Sequence, residues 1–492
     1  MKVIKKITAI MLSIMMVLGM SSVVSAAGAS GTGKITISNA VVGQTYNIYK
    51  ILDLESYNDA DPNNEHYAYK AVSEWKTFLT GTEIKGTYVD VDSDGYVTWK
   101  TGADAAKFAK KALAYAKDTT TTPPITAMST KTANTTTVEF TDLDSGYYLV
   151  DSSVGTLCFL NTMKSGEVTI AEKNVAPTVE KNVQEDSTNN YDNSNTADIG
   201  DTVNFKTTIT AQAGAQNYVL HDKMEAGLTF LKSTVKVQRQ VGSVTPTNVD
   251  SGYTVKTDDL GESTPNVCTF HIEFDQTFCD TLQANEKIII TYSATLNEDA
   301  TVGTTGNKNV TWLKYGKNID LETTPSDTIT KTYKIPVFKY TKKNGTNEGL
   351  SGAIFTLSKN SNGENPIELV KITATEDTYR VAKETGITKI TQVTTPENGK
   401  FTIQGLDAGT YYLTETKQPD GYNKLTSPIT ININENGQIK VGGKDVTQVE
   451  VENKSGSLLP STGGRGTTLF YILGAILVVG SGVVLITKKR MK

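Results

Sequence analysis

Residues 411–422 read Tyr411-Tyr412-Leu413-Thr414-Glu415-Thr416-Lys417-Gln418-Pro419-Asp420-Gly421-Tyr422, an aromatic and β-branched run that stops at a Pro-Asp-Gly turn. Side chains alternate between the two faces of a strand, so Tyr411, Leu413 and Glu415 share one face. A carboxyl therefore stands in phase with two core residues. The same alternation groups Lys339 with Ile335 and Val337, and Asn453 with Val449 and Val451. Buried Lys and Glu are rare unless paired. Burial disfavours the charged forms, lowering a Lys pKa and raising a carboxyl pKa. A neutral amine is a nucleophile, and a protonated carboxyl can polarise a carboxamide and shuttle protons. Attack of Lys339 on the Asn453 side chain would expel ammonia and leave an isopeptide bond. The bland alternative is a buried Lys–Glu ion pair with Asn453 satisfying spare hydrogen bonds.

Outward from this stretch, most of the chain reads as short Thr-rich strands punctuated by Gly, Asn and Asp, as in residues 202–209, 287–296 and 410–416. Residues 103–117 are the exception. Ala105, Phe108, Ala109, Ala112, Leu113 and Ala116 follow helical spacing, and the Thr/Pro stretch 119–124 ends the helix near Asp118. A second helix is expected around residues 69–79. Polar turn residues separate strand-rich blocks near Ala176-Pro177 and residues 323–326. Gly146-Tyr147-Tyr148-Leu149-Val150-Asp151 weakly echoes residues 411–415. The expected fold is mainly β, with tandem immunoglobulin-like sandwiches, the first carrying inserted helices.

Both ends carry targeting signals. Lys2, Lys5 and Lys6 precede an apolar stretch, and Val24-Ser25-Ala26-Ala27 offers signal-peptide cleavage after Ala26 or Ala27. At the other end stand Leu459-Pro460-Ser461-Thr462-Gly463, an uncharged run 467–487 and the basic tail 488–492. About 21 residues at roughly 1.5 Å each nearly cross a ~30 Å hydrocarbon core. The basic tail prefers the cytoplasmic side. This order resembles the sorting signal of Gram-positive surface proteins, in which a sortase cleaves between the Thr and Gly, here Thr462 and Gly463. The expected division is 1–26 signal peptide, 27–175 N-terminal domain, 176–330 middle domain, 331–456 C-terminal domain and 457–492 sorting signal.

A net charge of −5 without long runs argues against nucleic-acid binding. Three cysteines exclude a disulfide-dense scaffold. Cys268 and Cys279 could pair across a hairpin, but Cys268 alternates with Phe270, Ile272 and Phe274, which favours a buried free thiol; Cys158 reads as core. Asp90-Val91-Asp92-Ser93-Asp94-Gly95 starts like an EF-hand loop, yet Thr101 stands where its closing Glu belongs, and an Asp-Gly hairpin turn fits better. His66, His221 and His271 are scattered without metal-ligand spacing, so no metal is expected. With no phosphate loop or hydrolase elbow, no enzyme and no cofactor is expected.

Residues 411–422 resemble the E-box of Gram-positive pilin subunits, with Gln418 where Ala is usual. Gly349-Leu350-Ser351-Gly352-Ala353-Ile354-Phe355-Thr356-Leu357 resembles the second strand of the collagen-adhesin B-type fold that carries such a box. The resemblance implies a bond between Lys339 and Asn453 promoted by Glu415. In the middle block, Ile199-Gly200-Asp201-Thr202-Val203 and residues 222–230 look like the pilin domain in which isopeptide bonds also form. The matching positions are Lys181, Asp222 and Asn309, with Asn307 as the competing partner. In the first block Asp151 echoes Glu415, but Ile35 and Ile37 point inward and send Lys34 outward, so no bond is expected there. The family joins Thr462 of one subunit to a lysine ending the first domain. Lys173 in Glu172-Lys173-Asn174-Val175-Ala176-Pro177 occupies that place, without the usual Tyr-Pro. The resemblance implies a wall-anchored, sortase-assembled fimbrial shaft subunit. Its partners would be a class C (pilin) sortase, a housekeeping sortase, identical subunits, accessory pilins and peptidoglycan. The rivals are an unpolymerised wall-anchored adhesin and a basal or tip pilin. Against them stand the linkage lysine and the lack of a long Pro-rich stretch before Leu459.

Overall fold

The computed structural model describes residues 31–59, 65–118, 120–121, 124–155, 158–164, 166–257, 268–316, 321–372, 377–457, 459 and 465–491. The signal peptide and residues 460–463 of the sorting motif therefore lie outside the described residues. The chain is mainly β and forms two compact units. One holds the described residues up to Asn195, Asp201–Thr301 and Thr305–Lys331; the other holds Thr196–Gly200, Val302–Thr304 and the chain from Thr332 onward.

In the first unit, strand Gly33–Ser38 pairs parallel with Gly166–Ala171 and antiparallel with Thr137–Leu143. Ile35, Ile37, Val138 and Phe140 of this small sheet pack on Tyr46, Ile48, Tyr148 and Val150 of a seven-stranded sheet built around Thr45–Asn58 and Gly146–Ser152. Alternation gives that larger sheet a second apolar face, with Tyr49, Ile51 and Leu149, and two helices cover it through Phe78, Leu79, Phe108 and Ala112. The longer helix, Ala105–Lys117, starts where the Asp104 carboxylate accepts from the Ala106 and Lys107 amides.

The second expected helix is present but begins later than expected. His66–Ala71 is a strand paired with residues 52–58, and only Ser73–Trp75 and Lys76–Thr80 turn helically. Tyr67 stacks on Tyr57 at 6.2 Å, and Tyr69 meets Tyr147 edge-on at 6.0 Å. These cross-strand aromatic contacts outweigh local helical spacing. The Asp-rich stretch is a hairpin turn: Val89–Val91 pairs with Tyr96–Trp99, and Asp92 Oδ1 accepts from the Asp94 and Tyr96 amides.

The rest of the first unit faces two sheets. One orders Tyr191–Asp192, Thr178–Gln184, Thr202–Thr210, Lys287–Leu296, Leu228–Gln240 and Thr247–Asn248. The other orders Tyr253–Lys256, Phe270–Phe274, Val219–Met224 and Gly303–Tyr315. Val183, Phe205, Ile290 and Tyr292 from the first are buried, as are Leu220, Phe270, Ile272 and Leu313 from the second.

In the second unit the later residues of strand Ser326–Lys343 pair with Lys400–Leu406 on one side and, in parallel, with Val449–Glu452 on the other. Ile335, Val337, Phe401 and Ile403 meet Phe355, Leu357, Leu413 and Ile431 of an opposing six-stranded sheet in one core. The final helix, Arg465–Arg490, includes a candidate membrane span, Thr468–Arg490, whose apolar 18-residue window has mean hydropathy 2.6, long enough to cross a membrane.

Candidate functional site

Register brings the second unit's three polar residues to one point. The parallel pairing sets Lys339 opposite Val451, two residues before Asn453. Lys339 Nζ lies 2.5 Å from Asn453 Oδ1 and 3.1 Å from the Val451 carbonyl oxygen. Asn453 Nδ2 donates to Glu415 Oε1 at 2.9 Å, and the Leu425 amide donates to Glu415 Oε2 at 2.8 Å. Lys339 Nζ and Glu415 Oε1 are 3.9 Å apart. All three residues are buried, Lys339 completely. Desolvation lowers the Lys339 amine from 10.5 to about 8, against the opposing pull of Glu415 and Glu452. The neutral form is thereby a minority near neutral pH but far commoner than for an ordinary lysine, and the hydrogen bond that Nζ donates holds the amine at the carboxamide oxygen.

The first unit holds a second such cluster. Lys181 Nζ lies 2.5 Å from Asp222 Oδ2. Tyr292 OH contacts both groups, and Asn309 Nδ2 donates to that hydroxyl at 3.2 Å. Lys181, Asp222 and Asn309 are fully buried. Burial pushes the Lys181 amine down and the Asp222 carboxyl up, each against its partner's attraction. Both shifts favour the neutral pair. Asp222 Oδ1 and Asn309 Oδ1 are buried without hydrogen-bond partners, so a proton on the carboxyl would meet acceptors that now lack a donor. Asn307 is engaged elsewhere: its Nδ2 donates to the Thr301 and Thr330 carbonyls and its Oδ1 accepts from the Thr301 amide.

Tyr292 escaped sequence reasoning, as did the aromatic box around it. Phe205 stacks on its ring at 5.5 Å, while Phe270 and Phe230 meet it edge-on at 5.0 and 5.9 Å. The available signal was alternation, since Tyr292 shares a face with Ile288, Ile290, Ala294 and Leu296. Burial pushes the Tyr292 hydroxyl far above its ordinary value of 10.0, so it stays a donor.

In the first block Asp151 is buried beside Lys117 Nζ at 2.6 Å and Asn47 Nδ2 at 2.9 Å. This lysine comes from the helix rather than from the first strand. Lys34 pairs outward with Glu139 at 3.1 Å and Glu167 at 3.2 Å. Lys173 is exposed, with Nζ 4.5 Å from the centre of the Phe159 ring. Its neighbour Asn174 is buried and tied to Ser152 Oγ at 3.1 Å and Glu172 Oε1 at 2.9 Å. Of the sorting motif, only Leu459 is described, and it is 80% exposed. Two expectations about His and Cys change. His221 and His271 are not scattered but sit directly opposite on paired strands. Cys268 lies before the strand and half-buried, so it leaves the alternation of Phe270, and it, Cys279 and Cys158 form no disulfide.

Residues 336–447 match the family model of the SpaA prealbumin-like fold domain, and residues 451–492 match the LPXTG cell wall anchor motif. The chain is 28% identical over 186 residues to fimbrial subunit type 1 of Actinomyces viscosus, covering 36% of this chain and 32% of that protein. It therefore spans about a third of the length of that relative. It is 23% identical over 394 residues to the trypsin-resistant surface T6 protein of Streptococcus pyogenes serotype M6, covering 66% of this chain and 71% of that one. The solved T6 backbone pilin of serotype M6 aligns with a TM-score of 0.48 at 18% identity, over 82% of this chain and 81% of that chain. Residues 336–447 thus match a SpaA prealbumin-like domain and residues 451–492 an LPXTG cell wall anchor motif, in a wall-anchored surface protein similar to a fimbrial subunit and to a trypsin-resistant surface protein.

Proposed function

We propose that this chain is the shaft subunit of a covalently polymerised pilus, with Thr462 of one subunit joined to Lys173 of the next. The reading divides the mature chain into domains 27–175, 176–330 and 331–456. A sortase would cleave Thr462–Gly463, hold the Thr462 acyl group and transfer it to the Lys173 amine. The observation that carries the linkage is the contrast between exposed Lys173 and buried, anchored Asn174. An amine on a fixed backbone at the surface is available to an enzyme, whereas the cluster lysines are sealed in cores.

Those sealed lysines serve a different purpose in this reading. Neutral Lys339 attacks Asn453 Cγ, and Lys181 attacks Asn309 Cγ. In each case a C–N bond forms, the amine proton passes through Glu415 or Asp222, and the carboxamide nitrogen leaves as ammonia. The 2.5 Å approach of Lys339 Nζ to Asn453 Oδ1 supports this more than any other distance.

A denaturing gel of cell-wall extract tests the polymer. The wild-type chain should give a high-mass ladder, and Lys173→Arg should collapse it to one band while the protein remains on the cell. A single band from the wild type would mean an unpolymerised adhesin.

A further inference from the structure

Outside the cross-link clusters, strand pairing assembles a second kind of chemistry in the first unit. His221 stands opposite His271 across Val219–Met224 and Phe270–Phe274, on the strand face opposite Asp222. Cys268 Sγ is 3.5 Å from His221 Nδ1. One donor atom from each of His221, Cys268 and His271 lies within 4.8 Å of the other two. His271 is 3% exposed, and its Nδ1 is buried without a hydrogen-bond partner. Its other nitrogen, Nε2, faces Glu273 Oε1 at 3.2 Å, and Glu273 is in turn paired with Lys256 at 2.8 Å.

We propose that His221, Cys268 and His271 form a zinc site, with water in the fourth position. With Zn–S about 2.3 Å and Zn–N about 2.0–2.1 Å, a tetrahedral centre separates sulfur and nitrogen by about 3.6 Å. The Cys268–His221 separation matches this. The Glu273 carboxylate on Nε2 of His271 supplies the outer-shell partner that metal-bound imidazoles use, which leaves Nδ1 to the metal. His221 lies flat on Trp312, 5.1 Å between ring centres and 7° between planes, so its orientation is held before an ion arrives. One thiolate and two imidazoles suit zinc over calcium or magnesium, and half-buried Cys268 offers an entry path. The ion would clamp the strand bearing Asp222 to its neighbour.

The test uses the full-length chain in detergent, reduced and stripped with a chelator, then titrated with Co²⁺ followed by Zn²⁺. One cobalt per chain should bind with tetrahedral d–d absorption and a thiolate-to-cobalt charge-transfer band, both bleached by zinc. Cys268→Ser should abolish the band, and His271→Gln, which removes a ligand outright, should weaken binding by at least the roughly 10–100-fold typical of losing an outer-shell partner. His66→Gln and Cys279→Ser should leave both intact. If the site variants misfold, zinc should still slow alkylation of Cys268 in the wild type about tenfold or more, read by peptide mapping. No charge-transfer band, a band that survives Cys268→Ser, or an alkylation rate indifferent to zinc would each overturn the proposal.

Discussion

At Lys339 the surrounding core brings the amine down to about 8 while two glutamates pull the other way. Suppose the bond is blocked by Glu415→Gln. That change also removes one of the two glutamates that hold the amine up, so the folded value falls below about 8, and from there up to 10.5 the unfolded chain holds the Lys339 proton more tightly than the folded one. Stability should therefore rise with pH across that window, by up to about 1.4 kcal/mol per unit. The slope should vanish in Glu415→Gln/Lys339→Met and in the cross-linked wild type, whose amide nitrogen has no such proton. Urea unfolding at several pH values measures it, and a flat profile in Glu415→Gln would show that the amine is not desolvated. In the first unit, Tyr292→Phe removes the hydroxyl that touches Lys181, Asp222 and Asn309. We expect the Lys181–Asn309 bond to form more slowly, seen as a mixture of cross-linked and open chains after short expression.

The strand carrying Lys339 also shows how elements impose the geometry. Strand Ser326–Lys343 runs parallel to Val449–Glu452, so pulling the unit by its two chain ends shears one against the other. A Lys339–Asn453 bond joins these same two segments. Gly399 completes the arrangement, with φ +70 and its carbonyl accepting from the Lys339 amide at 2.7 Å. A Cβ there would lie 2.0 Å from the Lys339 carbonyl oxygen and 2.8 Å from the Leu350 amide nitrogen, both backbone atoms. Gly399→Ala should therefore move the strand, at a cost of about 1–3 kcal/mol, and delay ammonia loss. A normal melting temperature with full cross-linking would refute this.

Across the whole molecule each bond should lower the intact mass by about 17 Da, roughly 34 Da for two. A full unmodified mass would falsify the cross-links, and Glu415→Ala should restore one increment. Losing that bond should cost about 4–5 kcal/mol if the loop-entropy model for disulfides transfers to a closure spanning 114 residues. In a polymer joined Thr462 to Lys173, tension enters at Lys173 and bypasses everything before it. Unfolding under force follows the unfolding barrier, which covalent ties in the loaded parts raise. Trypsin should leave a resistant fragment that begins between Lys173 and Lys181 and ends near Lys454. If residues before Lys173 prove the most resistant, both the load path and the linkage site must be abandoned.

Alternation marked Lys339, Glu415 and Asn453, because a period of two decides which face a side chain takes whatever the strand pairs with, while Lys181, Asp222 and Asn309 came from the resemblance. The anchor was legible for a similar reason: an uncharged run and a basic tail act through composition, in one dimension. What pairing decides could not be read that way. The helix expected at 69–79 starts only at Ser73, because Tyr69 is drawn into a strand whose partners, among them Tyr147, come from distant sequence. Tyr292 joined Lys181 and Asn309 only when separate strands were laid face to face. The separation of His221 from His271 by 50 residues hid a direct cross-strand pair. Sequence by itself determined which residues face inward and where the chain is anchored; tertiary structure decided which of those residues meet. Facing inward is a property of one strand, whereas meeting depends on register between strands, and register is set by the whole core at once.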